Sequence, residues 1–236
     1  MVDVYTVGNM PWIATGSPRA QIYAAKEIGI ERVVEILALQ AVNRMMALGD
    51  IVLPEDLIDL TTGQYGTFFV NKGYGFLPHH PPYCPDTREG LVEAARHIVS
   101  LIPLSTQPRI FTRAVYGGVE TYGPLDEETR TLLQDYDIDA AGVGGVPTSF
   151  LARELELCYA PIGMVVTYSH PYVLGVHNLL HDTRNETILE DVITEAVKRM
   201  PKDRTCLCSQ AMQSAREAGR ISDDWRTWVE TTKQHS

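Results

Sequence analysis

The chain has 236 residues, a net charge of −10 and 44% apolar residues. That length suits one sizeable α/β domain, and that apolar share excludes a disordered chain. No Lys/Arg-rich run stands out, which speaks against nucleic acid as a partner. No apolar run reaches membrane-spanning length, and residues 1–5 lack the basic and apolar regions of a signal peptide. The expectation is a cytoplasmic protein that binds neither nucleic acid nor a membrane.

Residues 18–30 predict a first helix, with Pro18 at its start, Gly29 near its end and Ala20, Tyr23, Ala24 and Ile28 on one face. Residues 33–39 form an apolar run of strand length, and residues 49–59 a turn leading into a second strand. Residues 61–85, rich in Gly, Pro and aromatics, predict a long loop of the kind found at functional sites or interfaces. Residues 86–101 predict an amphipathic helix through Leu91, Ala94, Ala95 and Ile98, with Asp86 opening a capping-box-like start. A strand follows over 110–119, a helix over 126–136, a short strand over 140–143, a helix over 148–156 and a buried strand over 160–167. A last helix over 185–199 is capped by Asn185 and ends before Pro201. Strands and helices alternate throughout, which predicts one α/β domain over residues 1–236, its sheet covered by helices on both faces.

Several residues carry possible chemistry. Thr167, Tyr168, Ser169 and His170 sit at the C-terminal end of a predicted buried strand, where α/β proteins bind ligands. They read as pocket lining, with His170 as acid/base or hydrogen-bond partner, or else as an ordinary polar exit from a strand. Gly142-Val-Gly-Gly145 lacks the Lys-Ser/Thr of a P-loop and the full dinucleotide spacing. It reads as a close backbone approach at the sheet edge, able to contact a small anion or a ribose. His177 and His181 would share a helical face and could bind a metal, but surface or packing histidines are favoured. His79-His80 with Cys84 also suggests a metal, against the reading of a Pro-rich structural loop. Cys84, Cys158, Cys206 and Cys208 read as free thiols. Cys206-Leu-Cys208 is too closely spaced for a zinc-type Cys-x-x-Cys pair, so alternation within a strand or helix is preferred. Neither Ser149 nor Ser169 lies in a Gly-x-Ser-x-Gly elbow. No cofactor and no resident metal are expected.

Several blocks resemble the methylthioadenosine phosphorylase branch of the nucleoside phosphorylase family. They are residues 19–29 (Arg-Ala-Gln-Ile-Tyr-Ala-Ala-Lys-Glu-Ile-Gly), residues 49–61, and residues 82–89 (Pro-Tyr-Cys-Pro-Asp-Thr-Arg-Glu). Val146-Pro147, Leu151-Ala-Arg-Glu154 and Cys158-Tyr-Ala-Pro-Ile162 continue the match, which runs in order from about residue 18 to 200. The resemblance implies a three-layer α/β/α fold around a central mixed, twisted sheet. It also implies a small-molecule ligand and a homotrimer with sites near subunit interfaces.

The departures fall on polar positions. The family's N-terminal strand and Gly-rich phosphate loop have no counterpart, nor has its Arg-His pair. Gln40 stands for a Gly of the second phosphate turn. Gly142-Val143-Gly144 stands for the Gly-Met-Thr that holds ribose and phosphate. Thr148 replaces a Glu, and Thr167 and Ser169 replace two carboxylates at the purine. Glu120 falls at the family's Glu-Gly-Pro element. Without an acid near N7 a purine leaves poorly. The expectation is therefore a repurposed enzyme that acts on a nucleoside-like or other small polar or aromatic metabolite without phosphorolysis. Its acid/base groups would be Glu120 and His170, and its ligand would be held by Gln40, Val143, Gly144, Thr167, Tyr168 and Ser169. The alternatives are a non-catalytic paralogue, binding a ligand or assembling with a full-length phosphorylase, and a divergent phosphorylase drawing phosphate ligands from Arg19, Arg113 or a neighbouring subunit.

Overall fold

The computed structural model describes residues 4–8, 17–63, 66–70, 77–120, 127–168 and 183–229. The strands are β1 (Val4–Gly8), β2 (Arg32–Ala41), β3 (Ile51–Val52), β4 (Asp56–Asp59), β5 (Ile110–Phe111), β6 (Val115–Gly118), β7 (Ala140–Gly142) and β8 (Cys158–Tyr168). The helices are α1 (Pro18–Glu27), α2 (Pro85–Ser100), α3 (Glu127–Asp135), α4 (Thr148–Glu154), α5 (Thr183–Arg199) and α6 (Gln213–Glu217).

The eight strands form one mixed sheet in the order β4-β6-β7-β2-β8-β3-β5, with β1 added beside β2. β2 and β8 are the central pair and run parallel over ten registered positions, from Arg32 opposite Cys158 to Ala41 opposite Tyr168. Both are buried along nearly their whole length, so their sequences read as continuous apolar runs rather than alternations. The other edge of β2 is shared: Arg32 to Ile36 pair with β1, and Gln40 and Ala41 pair with β7 in antiparallel sense. β1 is a strand not predicted from the sequence.

Residues 49–59 and 110–119, each predicted as one strand, are each broken in two. Pro54 has no N–H to give a ladder, and the break lets the chain change partners. Before it, β3 pairs with β8 and β5; after it, β4 pairs with β6. The second segment breaks in step, β5 staying with β3 while β6 moves to β4 and β7. The sheet thereby curls on itself.

Two helix starts also differ from expectation. Pro85 occupies the first turn of α2 and Cys84 is its N-cap, because the fixed φ of proline suits that position. Asp86 is thus inside the helix, and its carboxylate accepts from Thr205 and Cys206 backbone N–H groups instead of capping. α5 begins at Thr183, which places Asn185 within its first turn.

The main core lies between the central strands and α1, α2, α4 and α5. It joins Ile22, Leu91, Ala95, Leu151, Ile162, Val192 and Trp228. A second core, with Leu37, Leu39, Tyr116, Ala140 and Val165, fills the inside of the curl.

Candidate active site at the curled sheet rim

Gln40 lies at the centre of the candidate site. In the ladder it stands opposite Ala141 of β7 on one side and Thr167 of β8 on the other. Its buried side chain donates from Nε2 to the Tyr168 carbonyl at 3.2 Å. The register shifts between Leu39 and Gln40, where Val166 is the extra residue, so the bulge lies in β8 and bends its end just before Thr167. Gln40, Thr167 and Tyr168 are therefore brought together at this end of the sheet. The Tyr168 hydroxyl is engaged elsewhere, accepting from the Leu48 backbone N–H at 3.2 Å. Ser169, His170, His177 and His181 lie outside the described residues.

The turn after β7 carries Val143 and Gly144. Gly142 passes so close to β2 that a Cβ there would sit 2.6 Å from the Ala38 carbonyl oxygen. Gly145 has φ +70°, and a Cβ on it would meet the Tyr116 ring at 2.9 Å. Both positions therefore need glycine, for close approach and for backbone sign respectively. The Tyr116 hydroxyl lies 2.7 Å from both the Gly142 and Gly144 carbonyl oxygens and shares its proton between them.

Beneath the turn is a carboxylate not singled out from the sequence. Glu35, buried in the middle of β2, accepts from the Gly145 N–H at 3.1 Å and from the Tyr159 hydroxyl at 2.6 Å, and the Thr148 side chain bonds to it as well. Burial raises its pKa, against the pull of those donors. The signal was a lone acid inside the apolar run Val33-Val-Glu-Ile-Leu37. Glu154 of α4 is a second such acid. It accepts from the Phe68 N–H at 2.6 Å and the Thr67 hydroxyl at 2.5 Å, and burial pushes its pKa up to about 7.

Glu120 differs. It follows β6, where the Val119 N–H donates to the Gly142 carbonyl, so it stands beside the Gly142–Gly145 turn. Its exposed carboxylate accepts from the Thr62 N–H at 2.9 Å, the Gly63 N–H at 2.6 Å and the Thr62 hydroxyl at 3.2 Å. These donors hold its pKa below the usual carboxylate value. Glu120 is thus an ionised latch between two loops at the rim, suited to fixing a loop and unsuited to giving up a proton.

Of the cations considered for phosphate, Arg19 is committed to the carbonyls of Thr67 and Phe68 and lies over the Phe68 ring. Arg113 is exposed and shares a surface groove with Arg88, Arg96, Glu55, Glu89 and Glu93. His79 packs its ring against Phe150 at 4.6 Å, while the group of potential metal ligands around Cys84, among the described residues, consists of cysteines.

A curled mixed α/β sheet, with a glycine turn and a polar strand end meeting at its rim, is the nucleoside phosphorylase type of architecture. The chain matches the Phosphorylase superfamily over residues 10–200 and belongs to it. It is 32% identical to the 6-oxopurine nucleoside phosphorylase of Pyrococcus furiosus, over 84% of this chain and 76% of that one. It is 30% identical to a probable S-methyl-5′-thioinosine phosphorylase of Thermodesulfovibrio yellowstonii, over 84% and 73%. Among solved structures, a methylthioadenosine phosphorylase from an antarctic soil metagenomic library shares the fold with a TM-score of 0.77 at 22% identity, covering 89% of this chain and 75% of that one.

These relatives correct the expectation of an enzyme working without phosphorolysis. The likeness to chains named as phosphorylases extends over most of the sequence, beyond the strand ends where the polar residues differ. The reason for the error is physical. Replacing Thr by Gly144 removes a hydroxyl side chain but leaves the backbone, and backbone N–H groups can hold anions whatever the side chain.

Proposed function

We propose that this protein is a divergent purine nucleoside phosphorylase acting on a 6-oxopurine or 5′-methylthio nucleoside. In that reaction a phosphate oxygen forms a bond to C1′ of the sugar, the bond from C1′ to the purine nitrogen breaks, and the base leaves with a proton. The observation that supports it is the likeness, at about 30% identity over 84% of the chain, to proteins bearing those activities in their names. Val143 and Gly144 are assigned to the sugar and phosphate side, where the Glu35-supported turn offers backbone with little side chain in the way. Gln40 is assigned to the phosphate side and Thr167 to the base, with the Tyr168 carbonyl positioning Gln40. Ser169 and His170 follow Tyr168 in the sequence, and His170 is assigned as the proton donor to the leaving base. Glu120 holds the neighbouring loop in place.

The test is incubation with S-methyl-5′-thioinosine, S-methyl-5′-thioadenosine and inosine, with and without phosphate, following the free base by chromatography. Base release that requires phosphate and yields a phosphorylated sugar is expected. No release from any of the three, or release indifferent to phosphate, would overturn the proposal. The family resemblance further supports a homotrimer working in the cytoplasm; a monomeric mass in analytical ultracentrifugation would count against the trimer.

A further inference from the structure

The four cysteines come from three distant parts of the chain and meet at one point. Cys84 precedes α2, Cys158 opens β8, and Cys206 and Cys208 belong to the segment after α5. Their sulfur atoms all lie within 4.8 Å of one another, with Cys158 and Cys206 at 3.4 Å. Cys84, Cys158 and Cys206 are buried and Cys208 is half-buried. We propose that Cys84, Cys158, Cys206 and Cys208 bind one zinc ion as a tetrahedral four-thiolate structural site.

The spacing fits that ion. With metal–sulfur bonds of about 2.3 Å, the sulfurs of a tetrahedral zinc site stand about 3.8 Å apart, close to the spread seen here. A Cys-x-Cys pair is short for two ligands in an extended strand, which is why the sequence argues against it. In the fold, Cys206 caps a 3-10 turn over Leu207–Gln210, and the Ala211 N–H closes onto the Cys208 carbonyl, so both sulfurs curl to the same point. The other two ligands come from the sheet and the start of α2, a juxtaposition no local pattern reveals.

The surroundings are built to hold the ligands in place. The Cys84 N–H donates to the Tyr159 carbonyl at 2.8 Å and the Cys158 N–H to the Glu31 carbonyl at 2.9 Å. The Asp86 carboxylate accepts from the Cys206 N–H at 3.0 Å and from the Thr205 N–H and hydroxyl at 2.9 and 3.0 Å. Outer contacts of this kind orient metal ligands. An independent observation points the same way. The Thr87 hydroxyl is fully buried beside the Cys84 sulfur and has no oxygen or nitrogen partner. A thiolate at Cys84 would accept its proton, whereas a buried hydroxyl left unpaired is costly. Four thiolates around a dication carry a net charge of −2. The positive end of the 16-residue helix α2 at Cys84, and Arg153 in the small cleft shared by Cys84 and Cys208, offset it. The ion would pin the C-terminal segment, with its buried Met212 and Trp228, onto α2 and the start of β8.

The test uses the full chain, expressed with zinc in the medium and purified with a phosphine reductant and no chelator. Elemental analysis is expected to give one zinc per chain. Cobalt replacement is expected to give the visible bands of a tetrahedral thiolate site. Cys208→Ser, at the half-buried ligand, should lose the metal. Thr87→Val, which keeps the shape of the side chain, should weaken zinc binding about 10- to 100-fold by competition with a chromogenic chelator. Wild-type protein that carries four free thiols and takes up neither zinc nor cobalt would overturn the proposal. So would isolation of the chain with disulfides among these cysteines, seen as a mass lowered by two hydrogens per bond.

Discussion

Glu154 and Glu120 show how one residue type takes opposite roles. Both accept two or more hydrogen bonds, yet the Glu154 pKa is pushed up to about 7 and the Glu120 pKa is held down. Burial decides: desolvation outweighs the donors at Glu154, and there is little desolvation at exposed Glu120. A carboxyl whose folded pKa lies above its unfolded value contributes its full stability below the unfolded pKa and loses it as the pH rises through the folded one. Glu154 should therefore cost about 3 kcal/mol as the pH rises from about 4.5 to 7. In Glu154→Gln that part of the slope should vanish, read as the difference between wild-type and variant urea-unfolding free energies at pH 5 and pH 8. At Gly142, an added Cβ would meet the Ala38 carbonyl oxygen at 2.6 Å, and that atom is backbone. Gly142→Ala should destabilise by about 1–3 kcal/mol, as overpacking does, and should lower turnover by displacing the turn that carries Val143 and Gly144. Thermal unfolding and steady-state kinetics of the variant check both.

At the scale of elements, α2 ties the central sheet to α5 and to the two strand breaks. One face packs against α5 and the underside of β8, and Leu91, Ala94 and Ala95 on it are fully buried. Its first turn binds two loops as well. The Arg88 guanidinium donates to the carbonyls of Pro54 at 2.8 Å, Leu53 at 3.3 Å and Thr112. Those carbonyls lie in the two breaks where the sheet changes partners, so Arg88 holds the curl in place. Arg88→Ala should destabilise by about 1–3 kcal/mol, since it strands carbonyls that water reaches poorly. Arg88→Lys should recover only part of that loss, because an ammonium lacks the planar fork that spans three acceptors. Chemical denaturation of both variants tests the ordering.

At the scale of the whole molecule, an acidic chain is proposed to bind an anion. With a net charge of −10, long-range attraction cannot draw phosphate in; local N–H donors at the rim must hold it. If phosphate binds the folded protein alone, raising its concentration to 100 times the dissociation constant should stabilise by about 2.7 kcal/mol. Sulfate at equal ionic strength serves as the comparison in a thermal-shift series. A melting temperature indifferent to phosphate, both alone and with a nucleoside, would contradict the phosphorolytic assignment. The expected rise is saturable.

Much of this was legible along the chain. Amphipathic spacing located α1, α2 and α5, largely apolar runs located β2 and β8, and ordered blocks such as Leu151-Ala-Arg-Glu154 pointed to the family. Such signals are local, set by backbone periodicity and short spacings, and so the sequence by itself determined the order of α1 to α5 and the fold class, but not β1 or the two strand breaks. Only the tertiary structure decided what meets what. It set Glu35 under Gly145, 110 residues away, and Glu120 against Thr62 and Gly63. It also brought four scattered cysteines within 4.8 Å of one another. The chemistry of a carboxyl or a thiol depends on its neighbours and its burial, and neither is encoded within a few residues of the group itself.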